Sequence, residues 1–548
     1  MPTSAESPSA ESPSGVSRRG FLTRVGATGG AGAMFATMGA LGLAPSADAR
    51  TSAPFQPPQQ SDFRLRGRAA GSVLVLGGGV AGLATAYELR KAGYRVTILE
   101  ASDRVGGRNH TLRGGDRLTE IGGATQRSRF SDDVYWNAGP GRIAQWMTTM
   151  DYCRELGVPL EVFTNSNAQA YLYNEKAGMT APVRWRTAKA DVHGYVSELL
   201  AKATDQGALD KSLTAADKER LISYLRSFGA IGAKADGFAY KGGEQRGMTV
   251  VPGAAGQTGT PLGPVPSLGD VFASGVGRYF SFELGFEQAM LMFQPVGGMD
   301  QIPRAFAKAI GRDHIRLGAK VTKITNLADG VEVAYSSGGR DRLARADFCV
   351  ATLPPHLLAK IPHNLGANVQ SALATPTPSA AGKLGIEYRR RWWELDEQIY
   401  GGITNTDLDL SAMWYPSYGY HGRRGLVVAY YNFGAAADTY GKLAHPDRLQ
   451  RALDQGAKIH GDRFKRDVAA SMSVYWPKQP NIEGAWVGWP SSGEGGYDGD
   501  PGYKLLNQAQ GHVYFAGDWL SHTIAWQHGA FESARKTVTE LHQRVLKG

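Results

Sequence analysis

Val73-Leu74-Val75-Leu76-Gly77-Gly78-Gly79-Val80-Ala81-Gly82 opens as an unbroken apolar run, as a parallel strand buried on both faces should, and passes straight into glycines. The pattern Gly77-x-Gly79-x-x-Gly82 is complete. After it, Val80, Leu83, Ala84 and Tyr87 recur at i, i+3, i+4 and i+7, which predicts an amphipathic helix ending near Gly93. Val96-Thr97-Ile98-Leu99-Glu100 then reads as a second strand ending in an acid. Gly77 permits the tight turn, Gly79 lets backbone approach a pyrophosphate, and Gly82 lets helix pack on strand. The helix N-terminus turns its positive end to the phosphates. Glu100, eighteen residues beyond Gly82, is placed to accept from an adenosine ribose, and an acid here argues against a 2'-phosphate. A lone glycine triplet would be weak, but strand, helix, strand and terminal acid together make a dinucleotide-binding unit.

Around this unit the chain has 548 residues with 42% hydrophobic and 20% charged content, which excludes a short binding module and wholesale disorder and leaves room for several domains. The net charge is +10, but the basic residues are scattered, with Arg389 to Arg391 the densest run, so a solvated basic surface is read rather than a nucleic-acid site. Two cysteines, Cys153 and Cys349, cannot build a disulfide framework or a cysteine-based zinc site. No metal site is expected. Ser17-Arg18-Arg19-Gly20-Phe21-Leu22, a weakly apolar stretch from Val25 to Leu43 and Ala47-Asp48-Ala49 read as a twin-arginine export signal over residues 1–49, with cleavage after Ala49. The stretch is too weakly hydrophobic for a stable membrane anchor, so a secreted or periplasmic protein is expected. The signal carries three basic and three acidic residues, so its removal leaves the charge at +10.

Directly after Glu100 comes Ala101-Ser102-Asp103-Arg104-Val105-Gly106-Gly107-Arg108, two guanidiniums around a glycine pair, suited to a second hold on pyrophosphate. Nicotinamide dehydrogenases have no need of it. With this string the sequence resembles the flavin amine oxidase superfamily, which includes monoamine, polyamine and L-amino acid oxidases, and the resemblance implies FAD. It returns in Val513-Tyr514-Phe515-Ala516-Gly517-Asp518 and Ala525-Trp526-Gln527-His528-Gly529-Ala530, and in Gln294-Pro295-Val296-Gly297-Gly298-Met299 with strands near Ile315–Leu317 and Val321–Ile324. It thus spans nearly all of the chain beyond residue 49. Asp518 is expected to reach a ribityl hydroxyl, and Val321 to hold adenine through its backbone. The resemblance adds Ala81, Ala101, Gly139, Gly141, Arg142, Trp526, Gln527 and Ala530 to the cofactor set. In monoamine oxidases a cysteine bonds the flavin in a stretch similar to Glu483-Gly484-Ala485-Trp486, where Ala485 stands here, so the FAD is expected to be noncovalent.

Substrate class turns on whether the pocket offers a cation to a carboxylate. Asn137-Ala138-Gly139-Pro140-Gly141-Arg142 forces a turn and then projects a bidentate fork. It resembles the Gly-Pro-Met-Arg of L-amino acid oxidases, whose Arg binds the substrate carboxylate. It departs at Gly141, which implies more backbone freedom near the flavin. By the same resemblance Lys383 holds a water near flavin N5 and assists reoxidation, and Tyr415 in Trp414-Tyr415-Pro416 helps Arg142. Trp414 and Tyr415 must point opposite ways along a strand, so the tyrosine's assignment competes with its neighbour's. Trp526 walls the amine and the Ala525 carbonyl accepts from it. His528 is read as a structural histidine, because hydride transfer needs no strong base.

The expected fold is α/β. A Rossmann-like FAD-binding domain is assembled from 70–125, 295–360 and 505–548. An α+β substrate domain takes 126–185 and 361–504, and a helical subdomain, 186–294, carries amphipathic helices at Ala188–Leu200 and Ala215–Ser227 and walls the substrate entrance. The expected activity is oxidative deamination of L-amino acids, aromatic or large apolar, to 2-oxo acid, ammonia and hydrogen peroxide, with dioxygen as co-substrate and a homodimer as the assembly. The alternatives are an L-amino acid 2-monooxygenase, a primary amine or polyamine oxidase, and an exported binding protein without activity.

Overall fold

The computed structural model describes residues 63–490 and 498–547, so the export signal lies outside the described residues. The opening apolar run forms β1 (Ser72–Leu76), the glycines cap α1 (Val80–Lys91), and β2 (Arg95–Leu99) follows. Two further parallel strands come from far along the chain, and the sheet runs Ile315–Arg316, β2, β1, Phe348–Ala351, Val513–Phe515. An all-parallel sheet must be covered on both faces, which is why β1 is apolar throughout. On one face Leu83 and Ala84 of α1 pack with Val73, Val75, Phe531 and Val538. On the other, Leu74 and Leu76 meet Val321, Leu358 and Phe515.

β3 (Ala381–Tyr388), β4 (Ala412–Trp414) and β5 (Gly425–Phe433) lie in a seven-stranded mixed sheet. Its order is Val468–Tyr475, β3, β5, β4, Ile403–Thr406, Tyr171–Tyr173, Val183–Arg184. The register between β3 and β5 pairs Lys383 with Tyr431 and shifts at Leu384/Gly385, so that Gly385 pairs with Val428. Trp414 of β4 also pairs with Val428. Paired residues of adjacent strands share a face, so Lys383, Tyr431, Val428 and Trp414 line one side of the sheet and Tyr415 turns to the other.

Residues 63–188 with 272–547 make one compact unit, and 189–271 a second. The second unit has its own core around Leu225, Ile231, Phe238 and Tyr240. Its buried Asp191–Arg246 pair, 2.6 Å apart, also takes the Tyr240 hydroxyl at 2.7 Å. The helices there run Trp185–Asp205 and Ala215–Gly229, longer than the periodicity predicts because the last turns bury Ala201, Thr204, Leu225 and Gly229. Among the described residues no helix is long and apolar enough to cross a membrane, and no cluster of His, Cys, Asp or Glu could hold a metal.

Candidate active site

A cavity of about 520 Å³ opens at the C-terminal ends of the parallel strands, where α/β sheets bind their ligands. Gly77, Gly79, Ala81, Glu100, Ala101, Gly107, Arg108, Gly139, Val321, Lys383, Asp518, Ala525, Trp526, Gln527 and Ala530 all line it. Gly77 sits at φ +104°, which a side chain would strain. Gly82 does not line the cavity but makes its floor possible, since a Cβ there would fall 2.1 Å from the Gly77 carbonyl oxygen. Glu100 accepts from the Gly78 amide at 2.6 Å and the Ser102 amide at 2.7 Å, which locks the glycine turn and leaves lone pairs toward the cavity.

Arg104 departs from expectation. Its guanidinium donates to the carbonyls of Gly107 at 2.9 Å and Val105 at 3.3 Å and does not line the cavity. It braces the Gly106-Gly107 turn instead of reaching a phosphate. Arg108 and Asp518 both line the cavity but are paired with each other, and Arg108 also donates to the Ala485 carbonyl at 2.9 Å. Asp518 further accepts from the Ala525 amide at 3.0 Å, holding Ala525 at φ +71° and so fixing the turn that presents Trp526.

The donor set fits FAD. The first turn of α1 has no side-chain cap, so its amides are free for phosphate. A Cβ on Gly79 would meet nothing within 4 Å, as expected where backbone borders a ligand's space. The amide of Gln527, buried at the start of α2 (Gln527–Lys547), has neither its oxygen nor its nitrogen hydrogen-bonded, a cost a bound polar ring would relieve.

Two cations stand near the Gly139-Pro140 turn: Lys383 lines the cavity, whereas Arg142, expected among the cofactor and substrate residues, follows Pro140 and lies outside the lining. The Arg142 guanidinium lies 4.7 Å from the Trp414 ring centre, 5.1 Å from Phe282 and 5.9 Å from Trp526. Its Nη1 is enclosed and makes no hydrogen bond among the described residues. Burial pulls its pKa down to about 10, so it stays charged at neutral pH. Lys383 is 2% exposed, donates to the Gly139 carbonyl, and lies 4.3 Å from the Tyr431 ring and 4.7 Å from Trp414. Burial first, and then the Arg142 charge, hold it down to about 7.

Tyr415 must be corrected. Its hydroxyl shares hydrogen bonds with Thr404 at 2.8 Å and His460 Nε2 at 2.7 Å, inside a core on the far side of the sheet. Strand alternation puts Trp414 on the face of Lys383 and Tyr431, which line the cavity, and packs it behind them. Gly141 is corrected too: it does not line the cavity, and a Cβ there would lie 2.8 Å from Trp414 Cζ3, so the glycine makes room for the indole rather than loosening the loop. His528 Nδ1 accepts from the Thr148 amide at 3.1 Å, a structural role. Tyr431 and Phe282 were not singled out from sequence as site residues, and Trp414 entered only as the competitor of Tyr415. The register shift in β5 hides Tyr431 from period-two reading, and Phe282 lies in a 3-10 helix, Val276–Leu284, whose three-residue turn follows neither the strand nor the α-helix period.

The sequence pattern of the family described as flavin containing amine oxidoreductase matches residues 80–542, and that of pyridine nucleotide-disulphide oxidoreductases matches 25–121. The chain belongs to the flavin amine oxidoreductase family. It is 25% identical over 485 residues, 86% of this chain and 94% of the relative, to YobN of Bacillus subtilis (strain 168), provisionally named an L-amino-acid oxidase. It is 24% identical over 492 residues to the L-amino-acid oxidase of Vipera ammodytes ammodytes, covering 86% of this chain and 92% of that one. Cyclohexylamine oxidase from Brevibacterium oxydans IH-35A superposes with a TM-score of 0.57 at 18% identity, covering 87% of this chain and all of that one. That likeness concerns the fold. The family's cofactor is FAD, and the protein is a flavin-dependent amine or amino acid oxidase.

Proposed function

We propose that this oxidase acts on L-amino acids with aromatic or large apolar side chains, yielding 2-oxo acid, ammonia and hydrogen peroxide. The observation that carries this reading is Arg142, a charged fork with an enclosed, unpartnered nitrogen in a box of Phe282, Trp414 and Trp526. A buried guanidinium with no hydrogen-bonded anion among the described residues, Glu287 acting only through its charge, is costly, and a substrate carboxylate supplies one bidentately. A plain amine leaves that cost standing. FAD, when bound, would supply the hydride acceptor for the α carbon and the route for electrons to dioxygen.

Around it the residues divide the remaining tasks. Gly79, Glu100 and Val321 would hold the adenosine and phosphates, and Gln527 and Asp518 the flavin end. Arg142 orients the α carbon by its carboxylate, Trp526 and Trp414 exclude water so that a neutral amine is favoured, and the same rings give an aromatic side chain apolar contact. Lys383 stands as a buried donor for dioxygen chemistry. Ala485 in place of a cysteine, with Cys153 and Cys349 both buried away from the cavity, supports noncovalent FAD. For residues 1–49 we retain the twin-arginine reading.

The test is a substrate panel on the purified yellow protein. Anaerobic bleaching by L-phenylalanine, and peroxide with 2-oxo acid in air, is the expected result. Bleaching by amines alone would overturn the amino acid reading, and an amide product without peroxide would make the enzyme a monooxygenase.

A further inference from the structure

Arg142 and Lys383 share one ring. Each charged group lies 4.7 Å from the centre of the Trp414 indole, so the two cannot be further apart than twice that distance. Both are enclosed, where charges are poorly screened. The other groups facing Lys383 do not compensate its charge. Tyr431, opposite it on β5, is pushed by burial up to about 12 and is neutral, Val474 stands opposite on the neighbouring strand, and the loop offers only the Gly139 carbonyl. Glu287 acts on Arg142 from the segment after Phe282.

Resting on the carboxylate reading above, we propose that docking a carboxylate on Arg142 draws a proton onto Lys383, with Trp414 as the positioning residue that holds both cations to one surface. A carboxylate cancels the positive field that disfavours the lysine's ammonium form, and the lysine, poised near neutrality in the free enzyme, then binds a proton. With an amino acid the proton available is that of the substrate ammonium, whose loss the oxidation requires. The nitrogen lone pair is freed, an N–H bond forms on Lys383, and no net charge enters. The lysine is then cationic when dioxygen arrives. Gly141 belongs to the device, because any side chain there would displace the indole.

The test is calorimetric titration of the FAD-loaded enzyme at pH 8 with phenylacetate, which has the carboxylate but no proton to give, in phosphate and in Tris. The binding enthalpy should differ between buffers by the equivalent of at least half a proton taken up per site. Lys383→Met should still bind phenylacetate but show no buffer difference. Trp414→Phe, which keeps a ring, should retain most of the uptake, whereas Trp414→Leu should lose it and weaken binding roughly tenfold. Flavin absorbance reports that each variant is folded and loaded. Buffer-independent enthalpy in the wild type, or equal uptake in Lys383→Met, overturns the linkage. Failure of phenylacetate to bind, or binding unaffected by Arg142→Met, overturns the carboxylate reading instead.

Discussion

At the dinucleotide end of the cavity, the glycine turn from Gly77 to Gly82 works through its backbone, with the Glu100 carboxylate locking it. Around the proposed substrate end, Lys383 and Tyr431 line the cavity, Arg142 and Trp414 stand beside them, and the four come from separate stretches and meet through side chains. A backbone site tolerates no added atom, because its dimensions are those of the turn itself. A side-chain site can lose a member and keep its fold, but its function depends on charges whose energies are set by burial. Substitutions at the first end should therefore abolish assembly, and at the second should change rates, affinities and pH dependence in a protein that still binds FAD.

The largest effect is expected at Gly82. Gly82→Ala puts a methyl 2.1 Å from the Gly77 carbonyl and 2.8 Å from Thr352 Oγ1, so the purified protein should carry no flavin, read from its visible absorbance. Full flavin content would show that the helix can lift away from the strand. Next is Lys383→Met, which should slow flavin reoxidation on the order of a hundredfold and leave reduction much less changed, by stopped flow. In the wild type, reoxidation of the ligand-free enzyme should slow as pH rises through about 7, where Lys383 gives up its proton, and the variant should lack that step. Unchanged oxygen kinetics would remove Lys383 from the reaction with dioxygen.

Smaller still is Gly141→Ala. Its methyl would press on Trp414, and a raised KM for L-phenylalanine of roughly fivefold, about 1 kcal/mol, is expected without loss of flavin. The smallest effect on catalysis belongs to Tyr415→Phe. It strands His460 Nε2 and Thr404 Oγ1 and should cost about 1–3 kcal/mol of stability in thermal unfolding, with kcat/KM held. A strong rise in KM there would put the tyrosine back on the substrate.

Legibility in the sequence follows the same division. The β1–α1–β2 turn could be read residue by residue, because glycines, an apolar run and a terminal acid are local signals. Arg142 was singled out from the Gly139-Pro140 turn, but spacing could not say that its guanidinium would sit among Phe282, Trp414 and Trp526 rather than in the cavity lining. Arg104 misled, because spacing cannot say whether a guanidinium turns to a ligand or to its own loop's carbonyls, as it does here. The choice between Trp414 and Tyr415 depended on which face of β4 met the cavity, which only the pairing to β5 fixes. Tyr431 was hidden by the register shift at Leu384/Gly385, since an extra residue changes face without changing composition.

The central claim is that Arg142 selects for a carboxylate, and its most direct test compares L-phenylalanine with phenethylamine, the same molecule without one. Anaerobic flavin reduction by each should be measured for the wild type and Arg142→Met. The predicted result is a ratio of kred/Kd, L-phenylalanine over phenethylamine, that falls on the order of a thousandfold in the variant, almost wholly through the amino acid. A ratio that stays the same, with both substrates weakened alike, would contradict it.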